Sequence, residues 1–208
     1  MQKREILEKL EKAILVCKKC PLYETALHSV PGEGNINAEI VFIGEAPGAT
    51  EDKLGRPFVG RAGKLLDELL QEINLHREDV WIGNIIKHRP PNNREPQPNE
   101  IRACEDFLTV QLRVIRPKLV VTLGRFAMYY FYKEGKISLD HGNLIKGDNG
   151  FYVYPVYHPA AALRNGDFLQ ALKEDFLRIP QIVKQIDIEK NNIVVSSQEE
   201  KGQLKLKM

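Results

Sequence analysis

The chain has 208 residues, of which 43% are hydrophobic and 28% are charged. These values are typical of one globular domain with a well-buried core. The net charge of +2 is close to neutral, so any basic nucleic-acid surface must be local. No hydrophobic run approaches the roughly 20 residues of a membrane-spanning helix, which excludes a membrane class. The charged N-terminus is not typical of a signal peptide, so we expect an intracellular protein.

The first predicted element is an amphipathic helix over Lys3–Val16 that leads directly into Cys17 and Cys20. The chain has three cysteines, and an odd number in a reducing compartment favours metal or redox chemistry over disulfides. A thioredoxin-type motif follows a strand and opens a helix, whereas this one follows a helix and is closed by Pro21. The spacing therefore favours half of a metal or cluster site, with two surface thiols as the alternative.

The next elements are a strand at Ile40–Ile43, a glycine- and proline-rich loop, and a helix that follows Gly60. In open α/β sheets, ligands bind where such loops leave the carboxyl ends of strands. Because this loop also carries two glutamates and a phenylalanine, we expect it to form a pocket.

Strands and helices alternate through the rest of the chain, which predicts a parallel sheet covered on both faces. A polar tail, residues 189–208, is predicted to be poorly ordered, which leaves a single domain at residues 1–188. The predicted strands are Val80–Ile86, Leu119–Leu123 and Phe151–Tyr157; the predicted helices are Pro98–Ile115, Phe126–Phe131 and Asp167–Gln185; Ile137–Gly150 is predicted to form a hairpin or turns.

Three ordered motifs together resemble the family 4 uracil-DNA glycosylases, the iron–sulfur members of their superfamily, which are frequent in archaea and thermophilic bacteria. The motifs are Gly44-Glu45-Ala46-Pro47-Gly48 with Gly55–Gly60, then Asn84–Pro91, then His158-Pro159-Ala160. The resemblance implies an α/β fold: a three-layer α/β/α sandwich with a central four-stranded, mainly parallel sheet. It also implies an enzyme that flips uracil out of DNA, hydrolyses its N-glycosidic bond and leaves an abasic site.

The resemblance also implies which residues bind the base. Phe58 is suited to stacking on a flipped base, and the amide of Asn84 matches the hydrogen-bonding edge of uracil. Ala46 and Glu51 belong to the same pocket. Each type of residue also has a common structural role, in the core for Phe58 and in a turn for Asn84.

Two residues are candidates for catalysis. His158 can donate a hydrogen bond to the uracil oxygen that becomes negative as the glycosidic bond breaks. In better-known uracil glycosylases an aspartate at the position of Ala46 orients the attacking water. Since alanine has no carboxylate, we assign that role to Glu45, with backbone groups and ordered water as the alternative.

The DNA itself requires a wedge and contacts to phosphates. Leu163 and Arg164 are candidates for filling the gap left by the flipped nucleotide and for gripping the strand. Lys87 and Arg89 are candidates for contacting phosphates, although exposed cations are common on any surface.

One position departs from the family pattern. Relatives have four cysteines, but here His88 stands where the third is expected, beside Cys17, Cys20 and Cys104. We expect these four residues to hold a [4Fe–4S] cluster, because imidazole can also ligate such clusters. Zinc is the second possibility, and a labile cluster with three ligands is the third.

Two other functions remain open: a glycosylase for other deaminated bases, and a non-catalytic iron–sulfur protein that binds DNA. We expect a monomer in the cytoplasm of a prokaryote, associated with the nucleoid and not with a membrane. The C-terminal Gln203–Met208 faintly resembles a peptide that binds the sliding clamp, without its aromatic pair. Clamp binding is therefore a secondary possibility.

Overall fold

The computed structural model describes the backbone of residues 2–205 and the side chains of residues 2–189. Over this range the α-helices are α1 Lys3–Leu15, α2 Ala49–Leu54, α3 Arg61–Glu72, α4 Pro98–Ile115, α5 Arg125–Phe131, α6 Ile137–Asp140, α7 Pro159–Ala162 and α8 Gly166–Lys205. The strands are β1 Glu33–Gly34, β2 Ile40–Gly44, β3 Trp81–Asn84, β4 Leu119–Leu123, β5 Ile145–Lys146 and β6 Tyr152–Val156. No helix in the described part of the chain combines the length and hydrophobicity of a membrane span.

The strands form one sheet in the order β1-β3-β2-β4-β6-β5. The four central strands are parallel to one another, and β1 and β5 pair antiparallel with the two outer ones. The predicted parallel strands are therefore present, but the expected number of four is wrong, because six are paired. Each extra strand has only two residues and is formed by pairing with its neighbour, so it has no hydrophobic pattern of its own.

Side chains alternate between the two faces of the sheet and build two hydrophobic cores. On β2, Phe42 packs into the core formed with α3 and α8, whereas Val41 packs into the core formed with α1, α4 and α5. All five residues of β2 and of β4 are buried, as expected for strands covered on both faces. These two cores confirm the predicted three-layer α/β/α sandwich.

Several boundaries differ from the sequence prediction. The loop after β2 contains the short helix α2, and α7 follows His158; neither was predicted. Residues 137–150 form α6, a turn and β5, so the predicted hairpin is present only where β5 pairs with β6. The last helix continues beyond its predicted end at Gln185. The division into a domain and a tail stays a prediction, and the clamp-like segment lies outside the residues whose side chains are described.

Candidate active site and cysteine cluster

The three motifs meet in one cavity at the carboxyl edge of the parallel strands. Gly44 ends β2, Asn84 ends β3 and His158 follows β6. The cavity has a volume of about 260 Å³. The predicted site residues that line it are Glu45, Ala46, Glu51, Phe58, Asn84, His158 and Arg164.

Gly44 lets the two predicted base-binding side chains approach the backbone closely. A Cβ atom at this position would lie 2.5 Å from Asn84 Oδ1 and 2.5 Å from Phe58 Cζ, so only hydrogen fits there. Asn84 is 1% exposed, and its Oδ1 has no hydrogen-bond partner among the described residues. A buried amide oxygen without a partner is unfavourable in the free protein and is available to a ligand.

The loop holds Phe58 in a strained conformation. Its φ of 51° lies in the left-handed region that a residue with a bulky side chain rarely adopts. The guanidinium of Arg77 donates to the carbonyl oxygens of Pro57 at 2.6 Å and Phe58 at 3.0 Å. The Phe58 ring stacks on that of His158, with centroids 5.9 Å apart. The ring is therefore fixed beside the candidate catalytic histidine.

The carboxylate of Glu51 holds this loop at the start of α3. Its Oε1 accepts hydrogen bonds from the backbone N–H groups of Val59, at 2.9 Å, and Gly60, at 2.8 Å. Glu51 also lines the cavity, so the same carboxylate that holds the loop helps to shape the site.

His158 has a defined tautomer. Its Nδ1 accepts a hydrogen bond from the backbone N–H of Ala160 at 3.0 Å, so in the neutral ring the proton is on Nε2. Burial lowers the pKa of His158 to about 4, and the nearby Glu51 only partly opposes this shift. The side chain is therefore a neutral donor at pH 7.

The pKa of Glu45 is shifted in the opposite direction, upwards. Burial raises its pKa to about 7, the charge of Glu95 adds to this, and Arg125 opposes it. Glu95 and Arg125 are themselves paired at 2.5 Å. Glu45 is therefore ionised only in part at neutral pH.

The predicted DNA-contacting residues fall into two groups. Leu163 and Arg164 are exposed on the turn between α7 and α8, and Arg89 is partly exposed with its Nε donating to Asn93 at 2.7 Å. Lys87 is wrong as a phosphate contact, because its side chain is 0% exposed. Its ammonium lies inside the protein, where it donates hydrogen bonds to other protein groups.

The three cysteines lie close enough to affect one another's ionisation. Cys17 is partly exposed, and Cys20 and Cys104 are buried. Burial raises the pKa of Cys104 to about 11; the N–H and ammonium of Lys87 oppose this, and the Cys20 and Cys17 thiolates add to it. Burial also raises the pKa of Cys20, with a contribution from Cys17.

His88 shares a cavity with one of these cysteines. Both Cys17 and His88 line a second cavity of about 430 Å³. The Nδ1 of His88 is buried and has no hydrogen-bond partner among the described residues. Within the described range, no group of three or more His, Cys, Asp or Glu side chains is placed so that it could hold a metal ion. Three thiols and an unpartnered imidazole nitrogen are nevertheless the types of donor that iron–sulfur clusters take.

Three residues that support the site were not predicted. Arg77 fixes the backbone of the loop at Phe58. The charges of Glu95 and Arg125 shift the pKa of Glu45. None of them belongs to a recognisable motif, and each acts across a large sequence separation. Only the fold brings them to the site.

Known proteins match the part of the chain that carries the three motifs. The family model described as the uracil DNA glycosylase superfamily matches residues 31–179. A type-4 uracil-DNA glycosylase of Sulfurisphaera tokodaii is 44% identical over 185 residues, 85% of this chain and 84% of that protein. The type-4 enzyme of Saccharolobus solfataricus is 43% identical over 92% of this chain and 93% of its own. That of Thermotoga maritima is 43% identical over 88% and 97%.

The chain therefore belongs to the uracil DNA glycosylase superfamily and, within it, to the type-4 uracil-DNA glycosylases.

Proposed function

We propose that this protein excises uracil from DNA by hydrolysing its N-glycosidic bond, which leaves an abasic site and begins the repair of deaminated cytosine. The observation that carries the proposal is the cavity in which the unpartnered amide oxygen of Asn84, the Phe58 ring and the neutral His158 meet. The names of the relatives, type-4 uracil-DNA glycosylase, support it.

Asn84 and Phe58 recognise the base. A flipped uracil stacks on the Phe58 ring, while the amide of Asn84 offers an acceptor to the N3–H and a donor to the O4 of uracil. Cytosine presents the reverse pattern on that edge, an acceptor at N3 and a donor at N4. Binding cytosine would therefore leave the buried amide unpaired, which costs about 1–3 kcal/mol for each unsatisfied group.

His158 stabilises the leaving group. As the glycosidic bond breaks, negative charge develops on the uracil ring and is greatest near O2. The Nε2–H of the neutral imidazole is fixed by the bond that Nδ1 accepts from Ala160. A fixed donor of this kind lowers a barrier by about 3–4 kcal/mol, as measured for oxyanion-hole donors.

Glu45 acts on the sugar side. In its ionised form the carboxylate orients the attacking water and stabilises positive charge that develops on the sugar. Ala46, which follows it, supplies no carboxylate, so Glu45 is the ionisable group at this end of the motif. Arg164 and Arg89 contact the DNA backbone, and Leu163 fills the space left in the duplex.

Cys17, Cys20, Cys104 and His88 are the residues that would hold a [4Fe–4S] cluster. When bound, it supplies covalent cross-links between the segment after α1 and the segment that runs from β3 to α4. The cluster would thereby support the end of β3, which carries Asn84. Zinc on the same residues is the alternative.

The proposal is tested by incubating the protein with a duplex oligonucleotide that has one uracil and then treating the DNA with alkali. Cleavage at the uracil, and not at a thymine in the matched duplex, is expected. A glycosylase for other deaminated bases would instead lead to alkaline cleavage of a duplex that contains hypoxanthine or xanthine. With a non-catalytic protein, none of the duplexes would be cleaved.

A further inference from the structure

One wall of the candidate uracil cavity carries a cation to which the mechanism gives no role. Arg94 lies in the loop between β3 and α4 and lines the cavity, as does Arg164 from the turn between α7 and α8. The Arg94 side chain is 38% exposed. Uracil is uncharged, whereas the DNA that carries it is an anion. A guanidinium at this place therefore directs attention to the DNA backbone.

The guanidinium of Arg94 is held by Glu100, in the first turn of α4. Its Nη1 and Nη2 donate to the two carboxylate oxygens at 2.8 and 2.6 Å, and Nη1 also donates to the backbone oxygen of Glu95 at 2.9 Å. Glu100 is 2% exposed, and its Oε2 also accepts from the N–H of Gln97 at 2.7 Å. The hydrogen bonds from Arg94 hold the pKa of Glu100 below its ordinary value, although burial opposes this. The head group of Arg94 is therefore fixed by a buried carboxylate.

The loop that carries Arg94 also has a defined conformation. Asn92 and Asn93 have positive φ angles of 54° and 55°, in the left-handed region that asparagine adopts more readily than most residues. The Oδ1 of Asn93 accepts a hydrogen bond from the Nε of Arg89 at 2.7 Å. Asn93 and Arg94 both line the cavity, so the shape of this loop places the guanidinium at the site.

One edge of the guanidinium remains available. Of its five N–H donors, three are used by Glu100 and Glu95. The Nε–H and the second N–H of Nη2 have no hydrogen-bond partner among the described residues. These two groups lie on the same edge of the planar guanidinium and point in parallel. Two parallel donors of this kind match two oxygens of a phosphate group.

We propose that the free edge of Arg94 binds one of the two phosphates that flank the flipped nucleotide, with Glu100 as the buried support that orients the guanidinium. The proposal rests on the proposed function, in which uracil enters the cavity while the sugar and its phosphates stay at the mouth. The protein thus holds the DNA backbone at the cavity itself.

The alternative is an ion pair of Arg94 and Glu100 that only stabilises the start of α4. It differs from the proposal in the salt dependence of DNA binding. Each phosphate that a cation neutralises adds about 0.9 to the slope of log K against log salt concentration, because a counterion is released. Free uracil has no phosphate, so its affinity separates a lost DNA contact from damage to the pocket.

The test compares the wild type with Arg94→Gln, and the matched control is Arg113→Gln near the other end of α4. Arg113 is exposed and is not among the residues that line the cavity. Dissociation constants are measured for free uracil and, over a range of salt concentrations, for a duplex with one 2′-fluoro-2′-deoxyuridine. The fluorine slows cleavage, because it opposes positive charge on the sugar.

For Arg94→Gln, we expect a salt slope that is smaller by about 1 and DNA binding that is about 10-fold weaker at low salt. The affinity for free uracil should stay within about a factor of two, because the lost donors do not contact the base. Arg113→Gln should match the wild type in slope and in both affinities. An unchanged slope in Arg94→Gln contradicts the proposal, and so does a larger loss of affinity for free uracil.

A neutral methylphosphonate at each flanking phosphate in turn locates the contact. At the phosphate that Arg94 binds, the replacement should weaken binding to the wild type about 10-fold and should have no further effect in Arg94→Gln, as in a double-mutant cycle. Equal losses in the two proteins at both positions contradict the proposal. So does a wild type that neither replacement weakens, and this result needs no variant.

Arg94→Gln leaves Glu100 buried without its partner, which can prevent folding. In that case Glu100→Gln is compared with the double variant Arg94→Gln/Glu100→Gln, since the two proteins differ only at Arg94. The same decrease in salt slope is expected between them, and equal slopes contradict the proposal. A wild type that binds neither free uracil nor the uracil duplex contradicts the proposed function instead, before any variant is compared.

Discussion

Burial shifts the pKa values of Glu45 and His158 in opposite directions, because it disfavours the charged form of each side chain. The pKa of Glu45 rises to about 7 and that of His158 falls to about 4. At neutral pH the cavity therefore contains a neutral hydrogen-bond donor and a carboxylate that is ionised in part. The donor suits a leaving group that becomes negative, and the carboxylate suits a sugar that becomes positive.

The rate of uracil excision should rise with pH as Glu45 ionises. With a pKa of about 7, the ionised fraction increases about 10-fold between pH 6 and pH 8, and the single-turnover rate should follow it. Glu95→Gln removes a charge that raises this pKa, so its profile should lie at lower pH. Glu8→Gln on α1, which is exposed, is the control and should not move it. A rate that is flat over this range would remove Glu45 from the mechanism.

His158→Ala should reduce the single-turnover rate of uracil excision by about 10²–10³-fold. Binding to uracil-containing DNA should change little, because the lost donor acts chiefly in the transition state. His76→Ala, at an exposed histidine, is the control and should behave as the wild type. Normal excision by His158→Ala would show that this ring is only structural.

At the scale of elements, the loop that carries Phe58 packs directly against α3 at one glycine. A Cβ atom on Gly63, in the first turn of α3, would lie 1.8 Å from the carbonyl oxygen of Phe58. The same carbonyl accepts from Arg77 at 3.0 Å. Helix and loop are thus in direct contact where Phe58 adopts its positive φ, so the position of the ring depends on the packing of α3.

Gly63→Ala should destabilise the protein, although alanine is the better helix former. The overpacking should lower the free energy of unfolding by about 1–3 kcal/mol and displace Phe58, which reduces excision. Gly166→Ala at the start of α8 is the matched control, because nothing among the described residues lies within 4 Å of its added Cβ. Denaturant unfolding of both variants measures the difference. Equal stability would mean that the loop and α3 separate easily.

Cys17, Cys20 and Cys104 come from elements that are distant in sequence. The chain departs from the family pattern at His88, which stands where a fourth cysteine is expected. The purified protein should be yellow-brown with roughly four irons per chain, as expected for a cubane cluster. His88→Cys should retain the cluster, and His88→Ala should lose iron faster on exposure to air. Iron analysis and the visible spectrum measure both. A colourless protein with one zinc per chain would show that the bound metal is zinc and not a cluster. Equal iron retention in His88→Ala and the wild type would show that His88 is not a ligand.

The sequence predicted those elements whose pattern is local. The bounds of α4 and β4 were predicted correctly, because each is a continuous periodic or β-branched run. The edge strand Glu33–Gly34 and the helix α2 have no such pattern and depend on their neighbours. Most of the residues that line the cavity belong to the three motifs, but Ala62 and Asn93, among others, do not. The burial of Lys87 was missed, because its acceptor on Gln111 lies 24 residues away and only the fold brings it near.

At the scale of the whole molecule, the parallel sheet gathers three separate motifs at one edge. The register pairs Gly44 with Asn84, which places the glycine and the base-reading amide on neighbouring strands. His158 reaches the same cavity from β6, two strands away from β2 in the sheet. The layer of α1 and α4 carries the cysteines on one face, while α3 and α8 pack the other. The site therefore depends on the fold as a unit.

The central claim is that this cavity hydrolyses the bond between uracil and deoxyribose. It is tested most directly by measuring the free base released under single-turnover conditions from a duplex with one uracil, and from matched duplexes with cytosine or thymine in its place. We expect one uracil for each abasic site formed, and no cytosine or thymine. DNA that is bound but releases no uracil, or an equal release of cytosine, would contradict the account.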